Sequence, residues 1–221
     1  MMETQMLDVP TRPLPIVAGN LALDFANTVD DPGGVAHFDH IHDIVGLLGW
    51  ADRRGVLSIG DRDELLALAE RSPDRAGAGL RAAHRLRESI QLAFSAVASD
   101  SSIPEAAWRG IRRPAAAAVA HSRPELDADR AHLGWDFNTL EAVTWPVAYA
   151  ALDLLTGNLL PRVKQCAGCP WLYLDQSKNS SRRWCSMDDC GKHEKIVRYV
   201  ERRAARRMSS RSDRSVDLSD R

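Results

Sequence analysis

Four cysteines are the residues whose type and spacing promise chemistry first. Cys166, Cys169, Cys185 and Cys190 follow the pattern C-x2-C-x15-C-x4-C and fall within the last 56 of 221 residues. A C-x2-C turn is short enough to aim two sulfurs at one ion, and a second close pair completes a tetrahedron about 2.3 Å from it. Four thiolates leave no open coordination position, so the expected ion, one Zn2+, is structural and not catalytic. Two disulfides are the competing arrangement. No export signal is read in Met1–Pro15, and reducing conditions disfavour them.

Cations surround these thiols. Between the two pairs lie Lys178, Arg182 and Arg183 among short polar residues, the types that contact phosphate oxygens. After Cys190 the spacing predicts a helix to about Met208. Ile196, Val197, Val200, Ala204 and Met208 share an arc of roughly 120°, and Lys195, Arg198, Arg202 and Arg206 fall within about 80° on the other side. The apolar stripe is expected to pack on the cysteine module. The basic stripe, with Arg182, Arg183 and Lys192, is expected to face duplex DNA. Trp171 and Tyr173 offer another reading, in which an exposed knuckle stacks on unpaired RNA bases.

The charge distribution agrees with a division of labour. The chain carries 29 Lys+Arg and 30 Asp+Glu, a net of −1. Residues 162–221 hold 15 basic and 8 acidic side chains, net +7, and the other 161 residues are net −8. An acidic body with a basic end suggests two units, the second with an anionic partner. With 44% hydrophobic and 27% charged residues, collagen-like, wholly disordered and membrane-spanning chains are excluded. The longest apolar runs, such as Val147–Leu152, fall far short of the ~20 residues a bilayer needs. A cytoplasmic location without membrane association is therefore expected.

The elements that must position these groups are mostly helical. Residues 1–15 contain three prolines and read as a flexible leader. Leu21, Phe25 and Val29 recur at helical spacing, up to a stop at Asp31-Pro32-Gly33-Gly34. Further helices are expected over 39–50, after an Asp61–Glu64 capping box, over about 80–98, and from Ser102-Pro104 until Pro114 interrupts or ends it. His132–Phe137 suggests a hairpin arm, and 139–157 a helix bent at Pro146. Trp108, Trp135 and Trp145 are assigned to the core. Val163–Gln165 and Trp171–Leu174 read as two short strands flanking a cysteine turn, with Gly168 permitting the turn. The fold class is mainly α. An all-helical domain over 16–160 precedes a zinc-finger module over 161–208, a short β-hairpin knuckle plus a basic helix, and a disordered tail at 209–221. The helical domain is long enough to fold alone, so losing the metal should unfold only the module.

Asp24, Asn27 and Thr28 are the polar members of an otherwise apolar segment. They suit a hydrogen-bond network pinning helices, or the wall of an effector pocket. No nucleophile–base pair, phosphate loop or dinucleotide fingerprint is read, so catalysis is not expected.

The stretch Arg182-Arg183-Trp184-Cys185-Ser186-Met187-Asp188-Asp189-Cys190-Gly191 resembles the CGNR zinc-finger family. Trp171–Asp175 with Ser177-Lys178-Asn179 is similar to that family's W-L-F-x-D-x-S-R-N stretch. Leu21-Ala22-Leu23-Asp24-Phe25-Ala26-Asn27-Thr28 resembles the L-x-L-D-F-x-N-T opening of the ABATE domain, which precedes this finger in bacterial stress-responsive transcription regulators. The resemblance implies a sensor-like helical domain joined to a DNA-binding finger, with the four cysteines as zinc ligands. It leaves open an unknown small-molecule effector and a homodimer. Lys192-His193 stands where the family has Asn-Arg, replacing a guanidinium fork by an imidazole. A zinc-finger transcription regulator is the leading expectation. An RNA- or ribosome-associated protein and a protein-interaction adaptor are the alternatives.

Overall fold

A computed structural model describes residues 14–29 and 38–203. The stop at 31–34, Ala204, Arg206, Met208, the tail and nearly all of the leader lie outside them. In chain order the helices are α1 (Leu21–Ala26), α2 (Ile44–Arg53), α3 (Ile59–Arg71), α4 (Pro73–Ala98), α5 (Glu105–Ala120), α6 (Trp145–Thr156) and α7 (residues 192–203). Two antiparallel hairpins join them: β1 (Arg123–Asp127) with β2 (Arg130–Gly134), and β3 (Val163–Gln165) with β4 (Leu172–Leu174). The mainly α class with a small knuckle is therefore the observed architecture, and β3 and β4 lie where the apolar alternation placed them. No helix among the described residues is long and apolar enough to cross a membrane.

Local chemistry moved several boundaries. The capping box at α3 is Ser58 with Asp61, not Asp61 with Glu64: the Asp61 amide donates to Ser58 Oγ at 3.1 Å and the Ser58 amide to Asp61 Oδ2 at 3.0 Å. Helix α4 begins at Pro73 instead of near Leu80. Proline suits a first turn, where its missing N–H has no intrahelical acceptor to lose. Gly79, which weakens the helical pattern, is needed there because a Cβ would meet Leu140 Cβ at 3.0 Å. Helix α5 passes through Pro114 without ending. Ala107, Ile111, Ala115 and Ala118 form one buried stripe across the proline, and that burial outweighs the ~3 kcal/mol a mid-helix proline costs. Pro146 sits in the first turn of α6, after a 3-10 turn at Glu141–Thr144. The hairpin arm is centred earlier than His132–Phe137, with Arg123 opposite Gly134.

One buried core runs through the molecule. Phe25 and Trp50 meet at 4.9 Å between ring centroids, and Leu48, Ile90, Phe94 and Ile111 belong to the same buried cluster. Trp171, Leu172, Tyr173, Leu174 and Cys185 belong to the same cluster. The C-terminal knuckle is therefore docked into the helical body, and β4 is buried throughout. Trp108, Trp135 and Trp145 are only half-buried. Trp135 donates to Ala118 O at 2.8 Å, and Trp145 stacks on His121 at 4.7 Å.

Candidate metal centre and basic face

The turn between β3 and β4 carries Cys166 and Cys169. Its base is closed by the Cys166 amide donating to Trp171 O at 2.8 Å, and the Ala167 amide reaches Arg183 O at 3.0 Å. The second pair follows: Cys185 after Trp184, and Cys190 in a wide turn at Met187–Gly191 capped by Ser186, whose Oγ accepts from the Asp189 amide at 3.3 Å. All four sulfurs lie within 4.8 Å of one another. Cys169 and Cys185 sulfurs are 3.5 Å apart and those of Cys185 and Cys190 3.6 Å, so none is in a disulfide. Four sulfurs at about 2.3 Å from a tetrahedral ion stand about 3.8 Å apart, so the donor set fits zinc. The amides of Gly168 and Cys185 donate to Cys166 Sγ at 3.4 and 3.3 Å, which fixes that thiolate as a ligand.

The thiols are mutually tuned. The Cys185 thiol hydrogen-bonded to Cys169 lowers the latter to about 6. Burial, followed by its hydrogen bond to Cys169, pushes Cys190 up to about 12. Cys185 is driven far upward, first by its hydrogen bond to Cys169 and then by burial. One thiolate forms readily, while Cys185 and Cys190 hold their protons. A bound divalent cation supplies the charge that lets all four ionise. The site is that of one structural Zn2+.

Trp184 closes the centre. Its ring wedges between Gly168 and Gly191, where a Cβ would meet it at 3.3 Å in both cases. Gly168 is thus required by the indole's approach; it is not among the described residues with left-handed backbone. His193 lies exposed on α7, outside the sulfur cluster.

Neighbouring cations have different roles. Arg182 is half-buried. Its Nε donates to Trp184 O at 2.8 Å, its Nη2 to Val17 O at 3.0 Å and to Cys185 O, and its guanidinium covers the Tyr173 ring at 4.4 Å. Expected among the phosphate-contacting residues, Arg182 instead ties the knuckle to the helical body, because these carbonyls occupy its donors. Arg183 is exposed, 5.5 Å from the Trp184 ring. Lys178, Lys192, Lys195, Arg198 and Arg202 are also exposed, with Arg198 Nε donating to Glu194 Oε1 at 2.7 Å. Arg206 lies outside the described residues. The apolar stripe of α7 does not pack on the knuckle: Ile196 and Val200 are 53% and 58% exposed. The helix leaves the knuckle at Gly191 and only Glu194 and Val197 stay half-covered.

Asp24, Asn27 and Thr28 are all buried and hold elements together. Asp24 Oδ1 accepts from the Ala18 amide at 2.9 Å and Oδ2 faces Arg54 at 3.3 Å. Thr28 Oγ1 donates to Phe25 O at 2.9 Å and accepts from Arg87 at 3.2 Å. Asn27 makes a two-bond clamp on β4, with Nδ2 donating to Leu172 O at 2.8 Å and Oδ1 accepting from the Leu172 amide at 2.9 Å. Trp171 Nε1 adds a bond to Val29 O at 2.8 Å, and Gln91 Nε2 one to Pro170 O at 3.1 Å. The network arrangement of these three residues is the one observed.

Sequence reasoning missed Asp175 as the hub of the loop that presents Lys178 and Arg183. The Asp-x-Ser spacing was an available signal for such a turn. Its side chain is fully buried and accepts from Lys164 Nζ at 2.7 Å, from Ser177 N and Oγ at 3.0 and 2.6 Å, and from the Arg182 amide at 3.1 Å. Burial alone would raise its pKa. The Lys164 and Ser177 hydrogen bonds win and hold the carboxyl well below the usual range. A depressed folded-state pKa stabilises above the unfolded value of about 3.9 and that stability drains away as pH falls below it. Asp175→Ala is therefore expected to cost about 2–3 kcal/mol at neutral pH, less than a fully buried pair because Lys164 is 32% exposed. Urea midpoints of the zinc-loaded wild type and variant at pH 7 check this.

With this geometry in hand, two family models match the chain. The CGNR zinc finger matches residues 162–203. ABATE, described as "Putative stress-induced transcription regulator", matches residues 19–158. No curated protein matches the chain.

Proposed function

The chain belongs to the ABATE family and carries a CGNR zinc finger, and from that premise we propose that it is a non-enzymatic, cytoplasmic transcription regulator binding duplex DNA. The observation that carries this reading is the exposed cationic set beside the metal centre: Lys178 and Arg183 on the ordered loop, and Lys192, Lys195, Arg198 and Arg202 on α7. A helix held at one end by a metal knuckle, with cations along it, suits a DNA groove or backbone. Arg206 extends that stripe in sequence. The helical body, over about 16–160, serves as the sensing or assembly unit, with the finger over 161–208. A homodimer would compensate for the small surface of one finger.

The RNA-stacking alternative needs Trp171 and Tyr173 to be accessible. They are 8% and 1% exposed, and both polar tips are engaged, Trp171 with Val29 O and Tyr173 Oη with Arg182 O at 2.5 Å. That burial supports duplex DNA over unpaired RNA. Gel shifts with the zinc-loaded full chain at graded salt test the proposal. Log affinity should fall against log salt with a slope near −0.9 per phosphate contacted. Lys195→Ala and Arg202→Ala should each flatten that slope by about 1. Arg182→Ala should lower the melting temperature without flattening it. Absence of binding to any duplex at low salt, with zinc occupancy confirmed, overturns the reading.

A further inference from the structure

A second cationic feature lies on the acidic body, on helices α4 and α5. Helices α4 and α5 approach so closely at Gly110 that a Cβ there would meet Ser89 Oγ at 2.0 Å. Above that contact opens a groove of about 500 Å3 lined by Arg85 from α4 and by Arg109 and Arg113 from α5. Leu86, Ala106 and Pro114 line its apolar part.

Nothing in the fold accounts for three guanidinium groups here. Arg109 and Arg113 stand at i,i+4 on one helix face, where like charges are destabilising. Arg109 has only a loose partner, Glu105 at 3.9 Å. Among the described residues neither Arg85 nor Arg113 is paired with a carboxylate, although Glu88 lines the same wall. The first 161 residues are net −8, so a local excess of positive charge there runs against the surrounding field.

We propose that this groove binds a small organic phosphate monoester. Three arginines less one glutamate leave a net charge of about +2, which balances one phosphate dianion. Guanidinium forks match phosphate oxygens in geometry as well as charge. The volume lies within the range of small-molecule sites, and the apolar wall accommodates an organic body beside the phosphate. None of the lining residues belongs to the finger, so the site is distinct from the finger's basic face. The inference rests on the sensing role proposed for the helical body only for its purpose; binding is measured directly and does not depend on DNA recognition.

The probe is AMP, with adenosine and inorganic phosphate as partial ligands, titrated calorimetrically into the zinc-loaded full chain at low salt. AMP is expected to bind, inorganic phosphate more weakly, and adenosine not measurably. Arg113→Ala should weaken AMP at least 10-fold and Arg85→Ala/Arg113→Ala should abolish binding. Both variants should keep the wild-type melting temperature, since these side chains are exposed. Lys195→Ala should leave AMP binding unchanged. Duplex affinity of the double variant should stay within twofold of wild type. Failure of AMP and phosphate to bind at millimolar concentration overturns the proposal, as does adenosine binding as tightly as AMP. A parallel loss of duplex and AMP binding in the double variant also overturns it, because the arginines would then belong to the DNA surface.

Discussion

Removing the metal, by chelation or by Cys185→Ser, is expected to destabilise finger and helical body together, so that the metal-free chain melts in one cooperative transition and releases no intact helical body. Structural zinc contributes roughly 10–16 kcal/mol of apparent binding energy in small fingers, against a typical domain stability of about 5–15 kcal/mol. The knuckle is too small to hold its shape without that contribution. Its strand β4 and Trp171 lie in the same core as Phe25 and Ile90. Once the thiolates lose their common ion, the turn at Cys166–Cys169 is released, Trp171–Leu174 withdraw, and the α1 and α4 surfaces beneath them meet water. Calorimetry with far-UV circular dichroism checks this. The expected trace is a single transition shifted down by more than about 10 °C. A surviving helical transition at its original temperature would restore the picture of a body that folds alone, the expectation that length and composition by themselves support. The shared core argues the other way, because length measures how much core a segment can build, not whether that core is closed without its neighbour.

The second large effect is expected at Asn27. Replacing it with alanine removes both bonds to Leu172 and leaves a buried amide and a buried carbonyl without partners. At about 1–3 kcal/mol for each orphaned group, the loss should come to roughly 3 kcal/mol, or about 6–12 °C in melting temperature for a chain of this size. Asn27→Asp should not rescue: a carboxylate still accepts from the Leu172 amide but faces the Leu172 carbonyl with a second acceptor. Thermal melts of the three proteins decide the point. If Asn27 served an effector pocket instead, alanine would leave the melting temperature unchanged and remove only ligand binding. The Leu172 partner lies 145 residues away in sequence, so the motif around Asn27 identifies a polar residue at the end of an apolar helix without indicating what it holds.

The same limit explains which site residues were legible. Arg182 and Arg183 are adjacent and identical in type, and both sit between the cysteine pairs. One is wrapped in three carbonyls and an aromatic ring, the other is exposed. Asp175, one acid among several in the basic end, is the fully buried hub of its loop. The apolar residues of α7 form a stripe by spacing, yet Ile196 and Val200 stay exposed. Periodicity reports which residues share a face; it does not report whether another element covers that face.

What the sequence determined by itself is local. Cysteine spacing selects the ligands because a short turn can bring two sulfurs together only where the chain's reach allows it. Apolar periodicity selects most of the helices, and the clustering of charge marks the basic end. The tertiary structure decided the rest: that the finger is built into the body's core, that Asn27 and Arg182 are its fastenings, and that Arg85, Arg109 and Arg113 share one groove. Those outcomes depend on contacts between residues far apart in the chain. Such contacts are set by how whole elements pack, and no single segment contains them.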